Sequence, residues 1–233
     1  MGSPKKFFSI EETEKLSIDE VKALYNEYVN PKQTKIFSNF PFGKDIFIKA
    51  KDMYIYTSDN KKILDFTGGL GVLNHGHNNT RIKNTRINFA KNDKMEVHKI
   101  VFSPYLAALS HNLSNILGSG LKRTFLCNSG AEAVEGAIKL SFRASKNKKF
   151  ILSSDKSYHG KLIASGSISG ALKRVNYFPK ISGYDFFKFN DLNSLEEKLN
   201  ELNQKGGVYA VVIEPFSATL LESCSENFIN GLV

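Results

Sequence analysis

Apolar residues return at helical intervals from Ser17 to Val29, at Ile18, Val21, Leu24 and Tyr28, and Ser17 with Glu20 has capping-box spacing. A helix is predicted there, ended by Pro31. Ile46 to Tyr56 alternates loosely and is rich in Ile, Phe and Tyr. With Asp59-Asn60 as a turn and Lys61 to Phe66 returning, it predicts a β-hairpin. A glycine-rich stretch, Gly68 to His77, follows. Pro104 to Leu117 carries one apolar stripe, Leu106, Leu109, Leu113, Ile116 and Leu117, and Gly118 and Gly120 stop it, so a second helix is expected.

Beyond residue 120 the period switches. Arg123 to Cys127 reads as a strand, Asn128-Ser129-Gly130 as a turn, Ala131 to Ala144 as a helix and Phe150 to Ser153 as a strand. That is a strand–helix–strand unit of the parallel-sheet kind. Leu192 to Leu202 is a further helix, and the β-branched run Val208 to Ile213 is a buried strand. Phe228 to Val233 reads as the middle of a helix with no cap or polar tail, which predicts that the chain is cut off there. The organisation is α/β from about residue 100 onward.

Composition narrows this picture only slightly. The 233 residues are 41% hydrophobic and 24% charged, as in an ordinary soluble globular chain. Two cysteines, Cys127 and Cys224, are too sparse for a disulfide scaffold and point to a reducing compartment, the cytoplasm. The N-terminal Met1 to Lys15 has no apolar core of a secretory signal, and no stretch reaches membrane-spanning length. The net charge of +9 is spread over scattered lysines, among them Lys146, Lys148 and Lys149, so no nucleic-acid or membrane partner is expected.

Candidate chemistry concentrates in Thr124 to Ser145, TFLCNSGAEAVEGAIKLSFRAS. Here a strand is delivered into a tight turn at the start of a helix. The small residues Ser129, Gly130 and Ala131 let backbone N–H groups approach an anion, and the helix N-terminus adds its positive end. Glu132 suits the first turn as a cap residue. The same residues also make an ordinary strand–turn–helix corner. Neither the Walker pattern nor GxGxxG is present.

The string NSGAEAVEGAIKL resembles the phosphate-binding segment of the class III, ornithine- and acetylornithine-type, aminotransferases. Leu64-Asp65-Phe66 with Gly69 to His77 looks like that family's LDF…GxGVxNxGH stretch. Ser157 to Lys161 looks like its YHGR segment, and Val212-Ile213-Glu214-Pro215 like its VEPxQGE segment. The resemblance implies a fold-type I transferase dependent on pyridoxal 5'-phosphate. It comprises an incomplete large domain with a mainly parallel sheet, plus an N-terminal segment of the small domain. Residues 1–60 would be that segment and 61–233 the cofactor-binding domain. Ser129, Gly130 and Ala131 would grip the phosphate, Tyr158 would stack on the pyridine ring, His159 would support it, and Glu214 would lie near the cofactor. The implied activity moves an amino group from an amine or ω-amino acid to a 2-oxo acid, in a homodimer.

Three departures bear on this. Lys161 replaces the family's arginine, Ser217-Ala218-Thr219 replace QGE, and Asn78-Asn79-Thr80 stand where a proline is usual. The Schiff-base lysine and the pyridinium aspartate, which lie beyond the EP segment in the family, have no counterpart in this chain, so catalytic residues stay unassigned. The chain is expected to be a truncated form, inactive by itself and poorly soluble. Alternatives are a non-catalytic protein of the same fold, or a glutamate-1-semialdehyde-type aminomutase, from which Ala131 leans away.

Overall fold

The computed structural model describes residues 7–98, 100–145, 147–174 and 179–232. Met1–Lys6 of the segment read as free of a signal lie outside the described residues, as do Lys146 of the lysine group and Val233 of the final apolar segment. The chain divides into two compact units, Met1–Phe102 and Ser103–Val233. Among the described residues no helix is long and apolar enough to cross a membrane.

In the first unit Ser17 caps the helix Ile18–Leu24, with its hydroxyl accepting from the Glu20 N–H and the Glu20 carboxylate accepting from the Ser17 N–H. The helical path widens over Tyr25–Val29 and stops at Asn30. Pro31 then opens a new helix, Pro31–Ser38, rather than only ending the old one, because its missing N–H is harmless in a first turn capped by Asn30. The predicted hairpin is a three-stranded antiparallel meander of β1 (Phe47–Lys51), β2 (Tyr54–Thr57) and β3 (Lys62–Leu64). Asp52, at φ +52°, breaks the expected long strand in two, while Asn60, at φ +64°, makes the expected turn. A helix not foreseen, Thr80–Lys91, begins under the Asn79 cap.

The second unit holds the parallel sheet. β4 (Phe150–Ser154) lies at the centre, flanked by β5 (Tyr184–Phe187) and β6 (Val208–Val212), both parallel to it. Strand alternation sends Ile151 and Leu152 to opposite faces, each with no exposed surface. On one face Ile151 packs with Ile138 of the helix Gly130–Ala144 and with Ile168. On the other, Leu152 and Phe187 pack with Leu195 and Leu202 of the helix Leu192–Lys205 and with Phe228. A side chain buried in this way contributes about 1.5–3 kcal/mol relative to exposure. Both faces are therefore covered, as a parallel sheet requires.

One expectation fails in this unit. Residues 121–127 form no strand: among the described residues none pairs with Arg123 to Cys127, and Phe125 is 74% exposed. A strand exists only through a paired neighbour, and apolar character alone does not supply one. Phe228 lies within a short helix, Glu226–Gly231, in line with the helical reading of the final segment, and the helix is started by the Ser225 hydroxyl accepting from the Phe228 N–H. β5 escaped notice because four residues are too short to show a period.

Candidate active site

The site is built at the carboxyl ends of β4 and β6, where open α/β sheets leave a crevice. Ser129 ends the extended approach at φ −148° and caps the helix Gly130–Ala144, its hydroxyl accepting from the Glu132 N–H at 3.2 Å. The Glu132 carboxylate turns back and accepts from the Asn128 N–H at 2.8 Å. Glu132 is thus a cap, and it removes the Asn128 amide from service. Among the described residues none accepts from the N–H groups of Ser129, Gly130 or Ala131. An ideal Cβ on Gly130 would meet nothing within 4 Å, so space lies open over these bare amides. The donor set and the open space fit a phosphate group.

The corner's neighbour is the segment after β4. Gly130, Ala131 and Val134 line one cleft of about 560 Å3 together with Tyr158, His159, Gly160, Lys161 and Leu162. Gly160 sits at φ +118°, and a Cβ on it would lie 2.6 Å from the Ala131 Cβ, so the two walls touch through glycine alone. Tyr158 is 41% exposed, which leaves ring surface for a flat partner. Its N–H donates to the Glu214 carboxylate at 2.8 Å. Glu214, just past β6, and Ser129 stand beside the cleft rather than in its lining. Glu132 faces a neighbouring cleft with Phe125 and Leu162.

His159 is buried. Its Nε2 lies 3.0 Å from the Ser153 Oγ, and its N–H donates to the Ser169 Oγ at 2.8 Å. Burial pushes its pKa down to about 4, because an imidazolium would lose its hydration there. The ring is neutral at physiological pH.

Several positioning groups escaped the sequence reading. The Glu135 carboxylate accepts from the Ala164 and Ser165 N–H groups at 2.9 and 2.8 Å, capping the helix Ile163–Ser167, which has no side-chain cap of its own. Ser153 and Ser157, with their hydroxyls 2.8 Å apart, and Ser169, which accepts from the His159 backbone N–H, are buried around His159. The one signal in the chain was the density of serines from Ser153 to Ser169 among apolar residues. In the first unit Asp65 accepts from the N–H groups of Thr67 and Gly68, and His77 Nε2 lies 2.8 Å from its other oxygen. His77 and the Thr67 hydroxyl and amide hold the Asp65 carboxyl well below the usual carboxylate range. His77 therefore serves a structural hydrogen bond to Asp65.

Fold and sequence together define the class. The family model "Aminotransferase class-III" matches residues 43–221, and the chain belongs to that family. Among its relatives, the acetylornithine aminotransferase of Aquifex aeolicus is 29% identical over 204 residues, covering 85% of this chain and 53% of that protein. The acetylornithine aminotransferase of Archaeoglobus fulgidus is 28% identical over 176 residues, covering 75% and 46%. Of solved structures, ornithine aminotransferase from Toxoplasma gondii superposes with a TM-score of 0.75 at 21% identity, over 97% of this chain and 53% of that one. Taurine:2-oxoglutarate aminotransferase from Bifidobacterium kashiwanohense, solved with PLP and glutamate, gives 0.72 at 20% identity, over 94% and 52%. The chain spans about half the length of the relatives it matches. Its fold is that of the fold-type I aminotransferases.

Proposed function

We propose that this chain is the phosphate- and ring-binding portion of a pyridoxal-phosphate-dependent aminotransferase that moves an amino group from an amine or ω-amino acid to a 2-oxo acid. The observation that carries this reading is the shared cleft: bare amides at Gly130 and Ala131 on one wall and the half-exposed Tyr158 on the other. When bound, pyridoxal phosphate supplies an electron sink for breaking the C–H bond beside the amino group. The protein binds and orients. Ser129, Gly130 and Ala131 donate to the phosphate, Tyr158 offers a ring face, and Glu214 holds the Tyr158 backbone. His159 backs the cleft as a neutral group, and Lys161 adds positive charge at its edge. No lysine or aspartate of this chain stands in a context matching the Schiff-base lysine or the pyridinium carboxylate. We therefore read the 233-residue polypeptide as inactive in transamination by itself.

For the whole protein we propose a cytoplasmic homodimer. Large apolar side chains stand free on the described chain, Phe66 at 91% and Leu70 at 93% exposure, and both cysteines are free thiols. The cofactor reading is tested by titrating the 233-residue chain with pyridoxal phosphate and following its absorbance, with pyridoxal as the control. Saturable binding, at least tenfold tighter than pyridoxal and relieved by inorganic phosphate, is expected. Equal affinity for the two vitamers would refute it.

A further inference from the structure

The hydrogen-bond polarity of the serine cluster behind the cleft can be assigned from its acceptors. The Ser157 hydroxyl lies 2.7 Å from the Ser154 carbonyl and 3.4 Å from the Ile168 carbonyl. Carbonyls only accept, so the single hydrogen of Ser157 goes to one of them. Ser157 Oγ, 2.8 Å from Ser153 Oγ, must then accept from Ser153, because two oxygens at that distance without a hydrogen between them repel. With its own hydrogen so engaged, Ser153 Oγ can only accept from His159 Nε2, 3.0 Å away. The imidazole therefore carries its hydrogen on Nε2. Among the described residues the His159 side chain is hydrogen-bonded through Nε2 and not through Nδ1, and His159 lines the cleft beside Tyr158.

We propose that Ser157 and Ser153 are positioning residues that lock His159 in the Nε2–H tautomer, so that Nδ1 is offered to the cleft as a hydrogen-bond acceptor for an O–H or N–H donor of the bound ligand. The acceptor role rests on the cofactor reading above; the tautomer does not. A bare lone pair at this point favours a ligand that brings a donor and disfavours one that brings a carboxylate or carbonyl oxygen. The neutral state of the buried ring is consistent with this, since a protonated Nδ1 would invert the preference.

The experiment is 15N NMR of the full chain labelled at histidine, with the His159 signals assigned by their loss in H159N. Wild type is expected to show Nδ1 in the unprotonated range and Nε2 in the protonated range. In S157A the Ser153 hydrogen is freed to turn toward Nε2, and the population should move toward the Nδ1–H tautomer. S153T, which keeps the hydroxyl, should hold the wild-type pattern and guards against a fold defect in S157A. Adding pyridoxal phosphate should move Nδ1 upfield, as when a lone pair accepts a hydrogen. A wild-type ring protonated on Nδ1, or a tautomer indifferent to S157A with S153T folded, overturns the lock. An Nδ1 shift unmoved at saturating cofactor, with binding verified by absorbance, overturns the acceptor role. A chain that shows the tautomer pattern but no cofactor binding refutes the cofactor reading and, with it, the acceptor role, while the lock stands.

Discussion

The Tyr158 N–H donates to the Glu214 carboxylate at 2.8 Å across 56 residues of sequence, joining the segment after β4 to the end of β6. The bond sets the backbone from which the Tyr158 ring enters the cleft. Removing the carboxylate in E214A should weaken pyridoxal-phosphate binding about tenfold, since a hydrogen bond to a charged group is worth about 1.5–3 kcal/mol and this one is partly solvated. E214Q, which retains an acceptor oxygen, should lose less. Absorbance titration of both variants measures the difference, and an unchanged affinity in E214A would remove Glu214 from the site.

At the corner, Ser129 has two jobs. As N-cap of Gly130–Ala144 its loss in S129A should cost about 1 kcal/mol, read as a lowered urea midpoint. As a phosphate donor its loss should weaken pyridoxal phosphate but not pyridoxal. A drop in stability with no change in that selectivity would leave Ser129 a cap only.

Gly160 offers a sharper test of the shared cleft. At φ +118°, with the Ala131 Cβ 2.6 Å from where its own Cβ would stand, G160A must strain the backbone and push the corner away. A loss of about 2–4 kcal/mol in thermal or urea unfolding is expected. G130A, placed where a Cβ meets nothing within 4 Å, should fold almost normally yet narrow the space over the bare amides, weakening cofactor binding.

The buried His159 makes stability depend on pH with a defined sign. Unfolded, the ring titrates near 6.5; folded, near about 4. Between those values the unfolded chain holds the extra proton, so stability falls as the solution is acidified from about pH 6.5 to about pH 4, by roughly 2 kcal/mol after allowance for residual solvent. Urea midpoints across that range should show the slope, and H159N should flatten it. Asp65 acts further down. Its lowered carboxyl contributes stability above the ordinary aspartate range that disappears at still more acid pH, and D65N should remove that part.

Much of this protein was written locally. Ser17 with Glu20, Ser103 before Pro104, and Ser129 before Gly130 each start a helix because a cap and its partner lie three residues apart. The run Val208–Val212 formed the expected strand, and the small-residue corner was visible as a string of side chains that leave amides bare. Other features depended on partners far along the chain. Arg123 to Cys127 has the composition of a strand but, among the described residues, no neighbour to pair with, whereas the short β5 became one because β4 lies beside it. That Glu132 captures the Asn128 amide, that Glu135 caps a helix nearly thirty residues away, and that His159 is turned by Ser153 are decisions of hydrogen-bond geometry. Periodicity and capping are encoded within one turn of chain, while pairing, burial and the direction of a proton are settled only when distant segments meet.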